Sequence, residues 1–155
     1  MEISLRKGNE KDIKAVFALI KELAIYEESL HELENSEEEM LKDGFGENSI
    51  YKFIIAESGN EIIGLALYYI AYSTWKGRCL YLEDLVVTES WRGKGVGKKL
   101  FDRVVEITKE ENTNRLMWQV LEWNQPAINF YKKNGTKFFD NWINCRLTKK
   151  QLDEF

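Results

Sequence analysis

Residues 79–97 decide the fold: Cys79-Leu80-Tyr81-Leu82-Glu83-Asp84-Leu85-Val86-Val87, then Thr88-Glu89-Ser90-Trp91, then Arg92-Gly93-Lys94-Gly95-Val96-Gly97. The first segment is rich in Leu, Val and Tyr and reads as a strand that stops at Thr88-Glu89-Ser90. After Gly97, Leu100, Phe101, Val104 and Ile107 recur at helical spacing. A strand that enters a helix through a glycine-rich turn aims backbone N–H groups at one point, and the helix dipole adds positive potential there. Glycine lets the chain come close to a phosphate. Lys94, Lys98 and Lys99 add mobile positive charge. A phosphate-bearing ligand is therefore expected at this turn.

The spacing excludes two nucleotide motifs. A P-loop reads Gly-x-x-x-x-Gly-Lys-Ser/Thr, but here only Lys94, Gly95 and Val96 separate Gly93 from Gly97, and Lys99 follows Lys98. A dinucleotide fingerprint reads Gly-x-Gly-x-x-Gly, but Gly93, Gly95 and Gly97 alternate.

Working outward, Ile3 and Leu5 suggest a short first strand, and a helix from about Asp12 to Glu27 follows. Its apolar stripe is Ile13, Val16, Phe17, Ile20, Leu23 and Ala24. Ser36 and Glu39 have capping-box spacing for a second helix that Gly44 and Gly46 end. Lys52–Glu57 and Glu61–Tyr69 flank the turn Ser58-Gly59-Asn60 and read as a hairpin. Leu116–Leu121 is strand-like. Asn124 caps a helix that tolerates Pro126 in its first turn and stops at Gly135. Phe138–Leu147 reads as a last strand. The order β-α-α-β-β-β-α-β-α-β gives an α/β domain on a mixed sheet flanked by helices.

The 155 residues suit one domain, with no repeat and no composition break. Lys plus Arg is 22 and Asp plus Glu is 26, a net charge of −4. This acidic balance argues against a nucleic-acid partner and is compatible with a cationic substrate. One histidine, His31, and two cysteines, Cys79 and Cys145, provide no metal set and no disulfide framework. No apolar h-region opens the chain and no apolar run approaches the roughly 18 residues of a membrane span. A cytoplasmic protein without a membrane partner is the expectation.

Arg92, Gly95 and Gly97 fit Arg/Gln-x-x-Gly-x-Gly/Ala, the pyrophosphate loop of the GNAT acetyltransferase superfamily. Asn124-Gln125-Pro126-Ala127-Ile128-Asn129-Phe130-Tyr131-Lys132-Lys133-Asn134-Gly135 resembles its second signature. More closely, the chain resembles the spermidine/spermine (diamine) acetyltransferase subfamily. The likeness rests on Ile20-Lys21-Glu22-Leu23-Ala24, Tyr26-Glu27, Leu41, Asp43-Gly44-Phe45-Gly46-Glu47, Tyr68-Tyr69, Trp75, Tyr81-Leu82-Glu83-Asp84 and Trp123-Asn124. Polyamine enzymes have Asp-Pro-Trp where this chain has Ser73-Thr74-Trp75, and Tyr72-Ser73-Thr74-Trp75-Lys76-Gly77-Arg78 looks more like the thialysine type.

The resemblance implies the GNAT fold, acetyl-CoA as donor without a metal, a small cationic amine as acceptor, and a homodimer with active sites near the subunit interface. It also implies site roles. Arg92, Gly93, Lys94, Gly95, Val96, Gly97 and Lys98 would bind the donor's diphosphate. Backbone N–H groups of Leu85, Val86 and Val87 would meet its thioester and pantetheine arm. Asn124 would bind that arm or only cap its helix. Glu83 would be the base, acting through water, and Asp84 an ammonium anchor, both turned to the cleft by a bulge. Glu27 would bind the acceptor's distal charge, and Trp75 would line the acceptor site. Tyr131 would act on the leaving sulfur. The chemistry asks for such groups: an amine of pKa about 10.4 is neutral in only about one molecule in a thousand at neutral pH, a barrier of roughly 4 kcal/mol. Two rival readings remain, a protein or peptide N-acetyltransferase and a non-catalytic acyl-CoA-binding module.

Overall fold

The computed structural model describes residues 2–155, which divide into two compact units, Met1–Gln119 and Val120–Phe155. The expected lack of a leader rests in part on Met1, which lies outside the described residues.

The first unit is a five-stranded sheet with spatial order β1-β2-β3-β4-β5: β1 (Ser4–Lys7), β2 (Lys52–Ser58), β3 (Glu61–Ser73), β4 (Gly77–Val87) and β5 (Leu116–Met117). The first four strands pair antiparallel, and β4 pairs parallel with β5 through Leu80–Leu116 and Tyr81–Met117. The sheet is mixed, as expected. Gly59, in the left-handed region at φ 60°, makes the β2–β3 turn.

Helices α1 (Ile13–Tyr26) and α2 (Glu37–Phe45) cover one face. Ile13, Val16, Phe17, Leu19 and Met40 pack there against Phe53, Ile55, Leu65, Leu67 and Val86. The opposite face carries α3 (Val96–Glu110), which buries Leu100, Phe101, Val104 and Ile107. Gly64 makes the close approach of α3 possible: a Cβ there would come within 2.9 Å of Leu100 Cδ1 and 3.2 Å of Val96 Cγ1.

The start of α1 is fixed by charge. Arg6 donates from Nη1 and Nη2 to the two Asp12 oxygens, each at 2.8 Å, and the Asn9 N–H donates to Asp12 Oδ2 at 2.8 Å. Those hydrogen bonds, the Arg6 pair foremost, hold the Asp12 carboxyl below its usual range. Thus α1 is pinned to β1, and its far end is aimed along the sheet.

Several boundaries differ from expectation. Gly44 lies inside α2 rather than ending it, because the Tyr51 ring sits on it; a Cβ would come 2.5 Å from Tyr51 Cζ. Gly46 caps the helix, and the Ser36 hydroxyl accepts from the Glu39 N–H at its start. Leu116–Leu121 supplies only the two-residue β5, because β4 pairs with nothing beyond Met117.

In the second unit α4 (Gln125–Lys133) is capped by Asn124, whose Oδ1 accepts from the Ala127 N–H at 3.3 Å. Gly135 at φ 77° ends it. Phe138–Leu147 forms no strand, which corrects the sequence reading; no neighbouring strand is there for it to pair with among the described residues, and its apolar residues fall in adjacent pairs, Phe138-Phe139 and Trp142-Ile143, rather than in alternation. Thr148 then caps a short α5 (Lys149–Asp153). No helix among the described residues is long and apolar enough to cross a membrane.

Candidate active site

The β3–β4 ladder carries the feature that organises the acceptor side. Tyr68 pairs with Leu82, yet the next residue of β3, Leu67, pairs with Asp84. Glu83 is the extra residue of a β-bulge. Its effect follows from strand parity. Leu82 shares a face with Tyr68, the face of α3. Leu67 belongs to the α1–α2 core, so Asp84 and Val86 lie on that opposite face. A regular strand would have kept Leu82, Asp84 and Val86 together.

Glu83 turns to the same side. Its Oε2 accepts from the Tyr69 hydroxyl at 3.4 Å, and Tyr69 has the parity of Leu65 and Leu67. Tyr69 stacks on Tyr81, its cross-strand partner, with ring centroids 5.2 Å apart. Burial first, then the Glu83 charge, pushes the Tyr69 phenol up to about 12. The hydroxyl therefore remains a donor to the carboxylate.

Three carboxyls share this region. Burial, then the charges of Glu83 and Glu27, raises Asp84 to about 7. Glu27, half-buried at the C-cap of α1, is also raised by burial. An aspartyl group that titrates near neutrality beside two more carboxyls is suited to hold an ammonium group and to accept a proton.

Asp84 also has a consequence for stability. An unfolded aspartate titrates near 3.9, so the folded chain holds this proton more tightly. The ionised form opposes folding, and that cost grows from about pH 4 to about pH 7 and is constant above. Asp84→Asn removes it. The variant is expected to melt at least about 3 °C above wild type at pH 8, with the gap closing toward pH 4. A gap independent of pH in thermal melts would contradict the raised titration.

The donor side begins where β4 ends. Leu85, Val86 and Val87 pair with Ala66, Leu65 and Gly64 on β3, whereas β5 pairs no further than Tyr81. The outward backbone groups of Leu85–Val87 thus have no strand partner on the β5 side among the described residues. Gly93 and Gly95 adopt left-handed φ of 74° and 82°, and a Cβ on either would meet nothing within 4 Å. Gly97 has no such φ, and its Cβ would touch Val87 Cγ2 at an ordinary 3.7 Å. Gly95 is the N-cap of α3; it supplies no side-chain cap, and no acid sits in the first turn. No acid of α3 itself competes for the first N–H groups of the helix, which suits a diphosphate. Lys94 lies over the Trp91 ring at 4.8 Å, and Lys98 pairs with Asp102.

The structure brings Glu27, Glu83 and Asp84 together on one face and Arg92–Lys98 onto one turn. Trp75 does not join the acids. It stands at the tip of the β3–β4 hairpin and is 81% exposed. Gly77 lies six strand positions from Glu83, roughly 20 Å at about 3.3 Å per residue. In the second unit, Tyr131 is a buried residue of α4 and Asn124 is its N-cap. Tyr69 belongs to the family likeness read from the sequence but has no site role there; its signal is cross-strand register, which needs the bulge to be known.

Residues 16–136 match the model of the acetyltransferase (GNAT) family. The chain belongs to the GNAT acetyltransferase family. It is 34% identical to the thialysine N-epsilon-acetyltransferase of Mus musculus, over 97% of this chain and 95% of that one. It is 38% identical to the same-named protein of Bos taurus, over 87% and 84%. It is also 36% identical to spermidine/spermine N(1)-acetyltransferase-like protein 1 of Homo sapiens, over 96% of this chain but 23% of that longer one. Among solved structures, an integron cassette protein of V. cholerae matches with a TM-score of 0.80 and 26% identity, covering 99% of this chain and 97% of the other. The expected GNAT fold and acetyltransferase class are therefore correct, and GNAT enzymes take acetyl-CoA as donor.

Proposed function

We propose that this GNAT enzyme transfers the acetyl group of acetyl-CoA to the primary amine of a small cationic acceptor, by direct attack in a ternary complex. What supports the reading most is the trio of Glu27, from the end of α1, and Glu83 and Asp84, turned to one face by the bulge on the strand that leads through Glu89–Trp91 to the open glycine turn. Such a cluster attracts ammonium groups, and it adjoins the family's donor loop.

The roles are these. Asp84 and Glu27 hold the acceptor's positive charge. Glu83 takes the proton of the attacking nitrogen through water, with Tyr69 steadying its carboxylate. The nitrogen forms a bond to the thioester carbon, and the carbon–sulfur bond breaks. Backbone N–H groups of Leu85–Val87 hold the thioester and its oxygen as charge develops. Arg92, Gly93, Lys94, Gly95, Val96, Gly97 and Lys98 receive the diphosphate, Asn124 borders the pantetheine arm, and Tyr131 donates a hydrogen bond to the departing sulfur. The family match runs across the division at Gln119, which supports a single acetyltransferase domain built from both units.

Trp75 is too far along its own hairpin to line this acceptor site from the same chain. A homodimer in which a second copy supplies it reconciles its exposure with the role implied by the resemblance. Free thiols at Cys79 and Cys145 suit a reducing, cytoplasmic compartment.

The test is a thiol-release assay with acetyl-CoA across putrescine, spermidine, spermine, lysine and thialysine. Ser73-Thr74 in place of an acidic Asp-Pro pair, together with relatives named for thialysine, favours the lysine-like amine over the polyamines. Turnover of thialysine with the highest kcat/KM is the expected result. Release with peptides alone would transfer the assignment to peptide acetylation.

A further inference from the structure

Glu22 belongs to α1, yet its contacts are with the turn that leads to the donor loop. Its Oε2 accepts from the Thr88 hydroxyl at 2.9 Å, and its Oε1 accepts from the Glu89 N–H at 2.7 Å. Arg92 Nη2 lies 3.6 Å from the same Oε1. Arg92 is held on two further sides. Its Nε donates to the Val87 carbonyl at 3.1 Å, and its guanidinium carbon lies 4.8 Å from the centroid of the Tyr26 ring.

Arg92 opens the glycine turn, and Val87 ends the strand before it. A long side chain at such a point ordinarily samples many rotamers, and ordering it on ligand binding costs affinity. Here α1 supplies a carboxylate and an aromatic face one turn apart, at Glu22 and Tyr26. Together with the Val87 carbonyl they fix the guanidinium before any ligand arrives, while its Nη1 makes no hydrogen bond among the described residues. The two hydrogen bonds to Thr88 and Glu89 hold the turn itself.

We propose that Glu22 is a positioning residue of the donor site: by holding Arg92 and the Thr88–Glu89 turn, it presets residues 92–98 for the diphosphate of coenzyme A. This rests on the functional reading above and extends it to a residue that touches neither substrate. The inference runs against simple electrostatics. A carboxylate beside an anion-binding turn should repel the ligand, so a Glu22 without a positioning role would give tighter binding when removed.

The experiment measures dissociation constants by calorimetry for coenzyme A and for S-acetylpantetheine, which lacks the diphosphate. It compares wild type, Glu22→Gln and Glu22→Ala, with melting of each free protein. Glu22→Ala is expected to weaken coenzyme A about tenfold and S-acetylpantetheine less than about twofold. Glu22→Gln should fall between, since its amide oxygen still accepts from the Glu89 N–H. In turnover, KM for acetyl-CoA should rise while kcat at saturating donor stays within about twofold. Unchanged or tighter coenzyme A binding overturns the proposal. So does equal weakening of both ligands, which marks general damage to the α1–β4 packing. If Glu22→Ala does not fold, Glu22→Gln and Tyr26→Leu carry the same comparison. Failure of the wild-type chain to bind coenzyme A would overturn the functional reading instead, and this inference with it.

Discussion

Tyr131→Phe should lower kcat about a hundredfold while leaving coenzyme A affinity within about twofold. Phenylalanine keeps the ring of a buried position in α4, so the helix and its Asn124 cap are expected to persist. What disappears is the hydroxyl. A phenol of pKa near 10 gives a full proton to a thiolate of pKa about 8.5 only uphill, by roughly 2 kcal/mol. The service proposed for it is therefore a hydrogen bond that strengthens as charge gathers on sulfur, followed by passage of the proton released by the amine. Steady-state kinetics with calorimetric titration separates the two quantities. Wild-type kcat in the variant would remove Tyr131 from the chemistry and revive the non-catalytic acyl-CoA module as an explanation of the fold.

Glu83→Gln should cost about a hundredfold or more in kcat/KM for the acceptor near pH 7, and progressively less as pH approaches 10. The reason is the amine. Where it is protonated, something must take its proton before attack; where it is already neutral, a base adds little. The substitution keeps an oxygen that can accept from Tyr69, so the stacked Tyr69–Tyr81 pair should survive. A pH–rate profile parallel to wild type would show that Glu83 is not the base. The same profile on Asp84→Asn is then decisive, because Asp84 titrates near neutrality and shares the face with Glu83.

Much of this arrangement can be read from residues 79–97 alone. The strand, the glycine turn and the helix are local, and their spacing excluded the nucleotide motifs before any geometry was known. The apolar stripe of α3 is equally local: Leu100, Phe101, Val104 and Ile107 are all buried. What escaped was non-local. Gly44 reads as a helix end because its partner, the Tyr51 ring, arrives from the loop that leads into β2. Glu22 reads as one more charge on α1, since Thr88 and Glu89 are more than 60 positions away. Phe138–Leu147 is rich in aromatic and apolar residues and so reads as strand-like, but a ladder also needs a neighbour. The pairing of Glu83 with Asp84 in one cleft was available only through family likeness, because period-two alternation alone would set them apart.

The extra residue at Glu83 works like a frameshift in the strand's side-chain pattern. Upstream of it the even-numbered residues Leu80 and Leu82 face α3; downstream the even-numbered residues Asp84 and Val86 face α1. Deleting Glu83 would close the bulge into a regular ladder in which Leu82 still pairs with Tyr68 and Val86 with Leu65, so the apolar layers would stay in phase while the extra carboxylate is lost. The extra residue is therefore dispensable to the layers on either side of it and serves the acceptor face alone: losing it would cost the site a carboxylate and leave the core paired as before.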